Sequence, residues 1–207
     1  EDQITGTFDN ITDLVGTGTD TLTGINAAAA WGIDGTNQYV STNTLNFSGY
    51  EDLTGNGGVD TFTVSASHTG NLSGQGGDDV FNLRESAVVT GDLLGGAGDD
   101  TFDFNDAGDG AFTARVVGNV DGGAGTTPND FIDFSDSGLT LELAITGSGT
   151  LHGQQGTIRD NPVVTPLISG SFDNIDTLTG NGGVLIGNNV DTFWKITGED
   201  SSKFSTS

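Results

Sequence analysis

The 207 residues include no cysteine and no methionine. That excludes disulfides, thiol nucleophiles and thiolate metal centres. There are only three prolines, and the glycines follow no strict three-residue period, which excludes a collagen triple helix. Basic residues are scarce: Arg84, Arg115, Arg159, Lys195 and Lys203 stand against 29 acidic residues, for a formal net charge of −24. Neutralising phosphates requires a basic patch, and these five are scattered, so nucleic acid is not an expected partner, nor is an anionic membrane surface. No apolar run approaches the roughly 18 residues of a membrane-spanning helix. Helical periodicity is missing as well; its nearest approach is Ala27 to Ala30 beside Trp31. The opening EDQITGTFDN lacks the pattern of a signal peptide.

What is present is glycine (35 residues), phenylalanine (12) and short apolar runs broken by Gly/Asp/Asn/Thr clusters. That alternation predicts an all-β protein with many turns. The acidity makes cations the natural partners, or serves only to keep an extracellular protein soluble.

The turns recur. GNGGVDTFT (55–63), GQGGDDVFN (74–82) and GGAGDDTFD (95–103) share one design. GGAGTTPNDFID (122–133) carries an insertion, GTGTDTLT (16–23) is one residue short, and GNNVDTFWKI (187–196) is degenerate. Each places an Asp two residues before an apolar residue: Asp20/Leu22, Asp60/Phe62, Asp79/Phe81, Asp100/Phe102, Asp130/Ile132 and Asp191/Phe193. A second motif precedes the first as GNLSG (70–74), GDLLG (91–95), GNVDG (118–122) and, loosely, GTLHG (149–153). A third, at FDNITDLVG (8–16), FSGYEDLTG (47–55) and FDNIDTLTG (172–180), marks a longer period. Residues 165–207 match residues 1–43, so 1–164 form one module and 165–207 begin the next copy. Trp31 finds its counterpart in Trp194 after a one-residue slip.

A repeat of about 20 residues cannot bury its own core and must stack on its neighbours. The expected architecture is a parallel β-solenoid of the right-handed β-helix or β-roll kind, with rungs of about 20 residues, the whole one continuous body. Phe62, Phe81, Phe102 and Ile132 should form one internal stack, Val64, Leu83, Phe104 and Phe134 a second, and Leu72, Leu93 and Val120 a third. The competing architecture is an antiparallel sandwich, for which the Asp-Gly pairs at 34, 109 and 121 and the Asn-Gly pairs at 56 and 181 would supply hairpin turns. The segments TTP (126–128) and RDNPVVTP (159–166) read as loops or a break.

Stacked rungs would bring Asp60, Asp79, Asp100 and Asp130 into a column. Two roles are open to such carboxylates: accepting hydrogen bonds from turn amides, or binding calcium beside glycine carbonyls. Asp78 and Asp99 are solvated neighbours or secondary ligands. GGAGDDTFD resembles the RTX-type nonapeptide Gly-Gly-x-Gly-x-Asp-x-U-x at every position, and 55–63 and 74–82 each miss one glycine. That resemblance implies a parallel β-roll with calcium held between turns, although here the motif comes once per rung rather than twice. SFDNIDTLTGNGG followed by VDTFWKITGEDSS resembles the tandem modules of large bacterial filamentous-adhesin and haemagglutinin-like surface proteins. That likeness implies a secreted β-helix acting as stalk, fibre or adhesive.

His68 and His152 lie far apart in polar segments and make no zinc site by their sequence neighbourhood. Uronate-cleaving β-helix enzymes need basic residues to bind anionic sugars, and this chain has few. Trp31 and Trp194 are expected to pack rather than to stack on sugars. The expectation is therefore a non-enzymatic module of an extracellular or cell-surface bacterial fibre, stacking head-to-tail on copies of itself or adjacent modules. Surface polysaccharide or other fibres are further partners, and Ca2+ at Asp60, Asp79, Asp100 and Asp130 is the expected ion. The alternatives are a calcium-dependent RTX-like binding or secretion module of a larger protein and a polysaccharide-binding or uronate-active β-helix.

Overall fold

The computed structural model describes residues 10–105, 112–125, 129–161, 166–180 and 182–187. Among them there are 21 strands in three sheets and no helix. The first sheet holds β1 (Asp13–Val15), β3 (Ala29–Ile33), β4 (Gln38–Val40), β5 (Thr44–Ser48), β7 (Asp60–Val64), β10 (Val80–Arg84), β13 (Thr101–Asn105), β16 (Phe131–Phe134) and β20 (Thr177–Gly180). The second is small: β8 (Ser67–Thr69), β11 (Val88–Thr90) and β14 (Arg115–Val116). The third holds β2 (Thr21–Thr23), β6 (Asp52–Gly57), β9 (Leu72–Gly76), β12 (Leu93–Ala97), β15 (Val120–Gly123), β17 (Leu141–Ser148), β18 (Gln154–Asp160), β19 (Phe172–Ile175) and β21 (Gly183–Ile186).

From β7 to β16 the chain visits the first, second and third sheets in turn, and each strand pairs in parallel with the one three strands further along the chain. The period of two decides the faces. Strand β7 buries Asp60, Phe62 and Val64, and β10 buries Phe81 and Leu83. Because like residues recur at like places, the register sets apolar on apolar. Trp31 pairs with Phe62, Phe62 with Phe81, Phe81 with Phe102, Phe102 with Ile132 and Ile132 with Leu178. The rings lie nearly parallel, with centroids 5.4, 5.0 and 4.9 Å apart from Trp31 to Phe102. Ile33, Val64, Leu83 and Phe104 form the second row, and Phe104 stacks on Phe134 at 4.2 Å. In the third sheet Leu53, Leu72, Leu93, Val120 and Phe172 align. The expected stacks thus meet in the registers observed, and Trp31, 1% exposed, packs at the head of the first.

The sheets are mixed rather than purely parallel. An antiparallel meander β3–β4–β5 enters the first sheet, turning at Asp34–Gly35, where the Thr36 amide donates to Asp34 Oδ1 at 2.8 Å. A second antiparallel unit, β17–β18–β19, enters the third sheet. Of the other dipeptides read as hairpin turns, Asn56–Gly57 lies within β6 and Asp121–Gly122 within β15; the pair at 109 and Asn181 fall outside the described residues. Arg159 and Asp160, read as loop, belong to β18, where Arg159 pairs with Glu142 across the ladder. Residues 126–128 and 162–165 fall outside the described residues.

Some positions 164 residues apart share local geometry. Strands β1 and β20, from equivalent positions of the two copies, stand at opposite edges of the first sheet. Asn10 and Asn174, also equivalent, share φ of 61° and 56°, and Gly18 and Gly182 share 106° and 105°. Trp194 and Asp191 lie outside the described residues.

Phe81 is fully buried between two parallel rings. Phe81→Ala is expected to lower unfolding free energy by about 3–5 kcal/mol in a denaturant titration. Val59→Ala, at a largely exposed position, should change it by under about 0.5 kcal/mol.

Candidate functional site

The aspartate column is real and continuous. Asp60 opens β7, and Asp79, Asp100 and Asp130 stand immediately before β10, β13 and β16, all with no exposed surface. The amide of each donates to Oδ1 of the next: Asp60 to Asp79 at 2.7 Å, Asp79 to Asp100 at 2.8 Å, and Asp100 to Asp130 at 2.7 Å. The Asp130 amide donates to Asp176 Oδ2 at 3.0 Å. At the other end Asp60 Oδ1 accepts from Trp31 Nε1 at 3.4 Å and from the Ala29 amide. The separations along the chain are 19, 21, 30 and 46 residues, so extra residues between successive aspartates leave the ladder intact.

The glycine that begins each motif makes room for the carboxylate. A Cβ on Gly55, Gly74, Gly95 or Gly122 would collide with Oδ2 of Asp60, Asp79, Asp100 or Asp130 respectively. The Gly…Asp spacing therefore reflects a side chain folded back over a bare Cα. In the shortened copy the Thr17 amide donates to Asp20 Oδ2 at 2.6 Å, and Asp20 is only half-buried.

A parallel ladder runs along the second motif. Asn71, Asp92, Asn119 and Ser171 amides donate in turn to Oδ1 of Asp52, Asn71, Asp92 and Asn119, at 2.7 to 3.1 Å. Asn and Asp alternate there, so amide acceptance at that corner needs an oxygen, not a charge. Nothing in the sequence reading singled this row out, because its signal is one Asx per motif among many.

The first ladder differs in its second oxygen. Oδ2 of Asp60, Asp79, Asp100 and Asp130 is buried without a hydrogen-bond partner. Burial pushes all four carboxyls above the usual range, and Asp79 and Asp100 reach about 7, with neighbouring carboxylates adding to the rise. Calcium takes six to eight oxygens. Here Oδ1 is committed to an amide and Oδ2 is pressed on a glycine, leaving one uncommitted oxygen per aspartate. A file of calcium ions would have to draw its remaining oxygens from turn carbonyls and water. Asp78 and Asp99 lie outside the column, exposed and half-buried, with the Asp99 amide donating to Asp78 Oδ1 at 3.0 Å.

The column ends beside a histidine. His152 sits in the turn between β17 and β18, which Asn174 holds by accepting from the Leu151 amide at 2.7 Å and the His152 amide at 3.3 Å. Its Nε2 is 3.5 Å from Asp130 Oδ2, and its Nδ1 is 3.2 Å from Asp176 Oδ2. Sequence reasoning set His152 aside and never named Asp176; the two meet through an antiparallel turn that no motif announces. His68 is buried in β8, its Nε2 has no hydrogen-bond partner, and burial pushes its pKa below the usual value. Among known protein families, curated proteins and solved structures, none matches this chain.

Asp79 takes up its proton near pH 7 in the folded chain and near 3.8 when unfolded. Its favourable contribution is thus complete below pH 3.8 and lost as pH rises through about 7. Relative to wild type, Asp79→Asn should gain stability from pH 5 to pH 8, by at most about 3 kcal/mol. Chemical denaturation of both proteins across that range, in chelator, measures the difference.

Proposed function

We propose that the chain is a non-enzymatic structural module, wound as a parallel β-solenoid, of an extracellular bacterial fibre, stalk or adhesin. One observation carries this reading: the like-on-like register from Trp31 through Phe62, Phe81, Phe102 and Ile132 to Leu178. Such a column is built by repetition of one turn and can be lengthened without a new core, which is what a stalk requires. The buried aspartates act as a hydrogen-bonded spine and, in this reading, carry protons rather than calcium.

The placement of the two copies supports head-to-tail stacking. Strands β1 and β2 edge the first and third sheets at one side, and β20 and β21 edge them at the other. Strand β21 exposes Val184, Leu185 and Ile186, and near the opposite edge Ile11, Val15 and Ile25 are exposed. An open edge lined with apolar side chains is a template for another strand. An adjacent module, in tandem or as a second copy, is the occupant proposed here, with secretion to the cell surface as the setting and surface polysaccharide or other fibres as further contacts.

Small-angle scattering and negative-stain microscopy of a tandem of two 1–164 modules test the reading. A rod of constant cross-section that doubles in length from one module to two is expected. Two independently tumbling compact bodies would overturn it. So would turnover of a uronate polymer by the chain.

A further inference from the structure

We propose that Asp130, His152 and Asp176 form a binding site for a single transition-metal dication of the zinc class. The three side chains each bring a ligating atom within 4.8 Å of the others. A second observation points into the same space: Asp130 is fully buried and its Oδ2, without a hydrogen-bond partner, is the one orphan oxygen of the ladder that faces an imidazole, at 3.5 Å from His152 Nε2. The ion would take Nε2 of His152, which the Gly125 amide approaches at 3.5 Å, while Nδ1 faces Asp176 Oδ2 at 3.2 Å.

The donor types select the metal. An imidazole nitrogen with carboxylate oxygens suits zinc and its first-row neighbours, whereas calcium and magnesium take oxygen alone. Zinc holds such ligands at about 2.0–2.2 Å, which separates two of them in a tetrahedron by about 3.4 Å. Asp130 Oδ2 and His152 Nε2 stand 3.5 Å apart. The Asp176 carboxylate completes a three-sided donor set, and the fourth position is left to water, as in open zinc centres. Access exists, because the His152 and Asp176 side chains are 13% and 21% exposed while Asp130 is closed off.

The ligands are held from behind. The Asp130 carboxylate keeps the Asp100 amide on Oδ1, which turns Oδ2 towards His152. Asn174, with φ of 56° and its Nδ2 donating to Asp121 Oδ1 at 2.7 Å, fixes the turn that carries the histidine. The site is also particular to this place in the repeat. In the first copy Thr12 occupies the position of Asp176. The ion would therefore mark the junction where one module meets the next, binding the β17–β18 turn to the end of the aspartate column. This assignment does not depend on the fibre reading.

Equilibrium dialysis of the chelator-stripped chain against zinc chloride tests it. One zinc per chain is expected, with affinity reduced at least about tenfold in His152→Gln and in Asp176→Asn and unchanged in Asp79→Asn. On the unaltered chain, zinc should shift the ring resonances of His152 and leave those of buried His68 in place, a readout that needs no variant to fold. Cobalt(II) in place of zinc should give visible absorption bands that calcium does not displace. No zinc uptake, uptake indifferent to His152→Gln, or ring shifts absent from His152 would each overturn the proposal.

Discussion

The interaction on which the rest depends is the hydrogen bond from each aspartate amide to the carboxylate of the next aspartate in the column. It ties neighbouring strands of the first sheet together at the point where the chain leaves a turn. With the turn anchored there, the residue two places on must fall on its counterpart in the neighbouring strand, and Phe62, Phe81 and Phe102 stack. A slip of one residue would turn the phenylalanines outward and bring Thr61, Val80 and Thr101 in. Asp and Phe are therefore one device, with the first setting the register and the second supplying the burial. The bare Cα of Gly74 and its counterparts is the third part, since any side chain there would displace the carboxylate.

This arrangement places four carboxyl groups where none reaches water. An isolated buried carboxylate is costly, and so is a row of them. The column answers this differently along its length. In the middle, Asp79 and Asp100 hold protons up to about pH 7. At the Trp31 end an indole N–H is added. At the Asp130 end an imidazole and a second carboxylate approach from the solvent side. The second ladder shows what amide acceptance requires where no buried second oxygen is involved: Asn serves as well as Asp.

Much of the fold was legible because it is periodic. The stacks of Phe62, Phe81 and Phe102 and of Leu72, Leu93 and Val120 follow from motif alignment alone, since parallel pairing of a repeat places equals on equals. The antiparallel units β3–β5 and β17–β19 were not legible in the same way. They interrupt the run of parallel strands, and their strands carry ordinary alternation that fits either pairing. The aspartates were found as a column, but the role of their oxygens was open, because a Gly-Gly-x-Gly-x-Asp turn serves amides and cations equally well in one dimension.

The sequence by itself determined the repeat, the all-β character, the residues that meet in the core and the scarcity of cationic partners on its own surface. These are properties of spacing and composition, and they survive any rigid rearrangement of the chain. Tertiary structure alone decided what the buried oxygens face. Asp130, His152 and Asp176 are separated by 22 and 24 positions, and they converge only because one antiparallel turn is folded back over the end of the column. Convergence of that kind depends on where an insertion packs, and packing against a distant surface leaves no period in the chain.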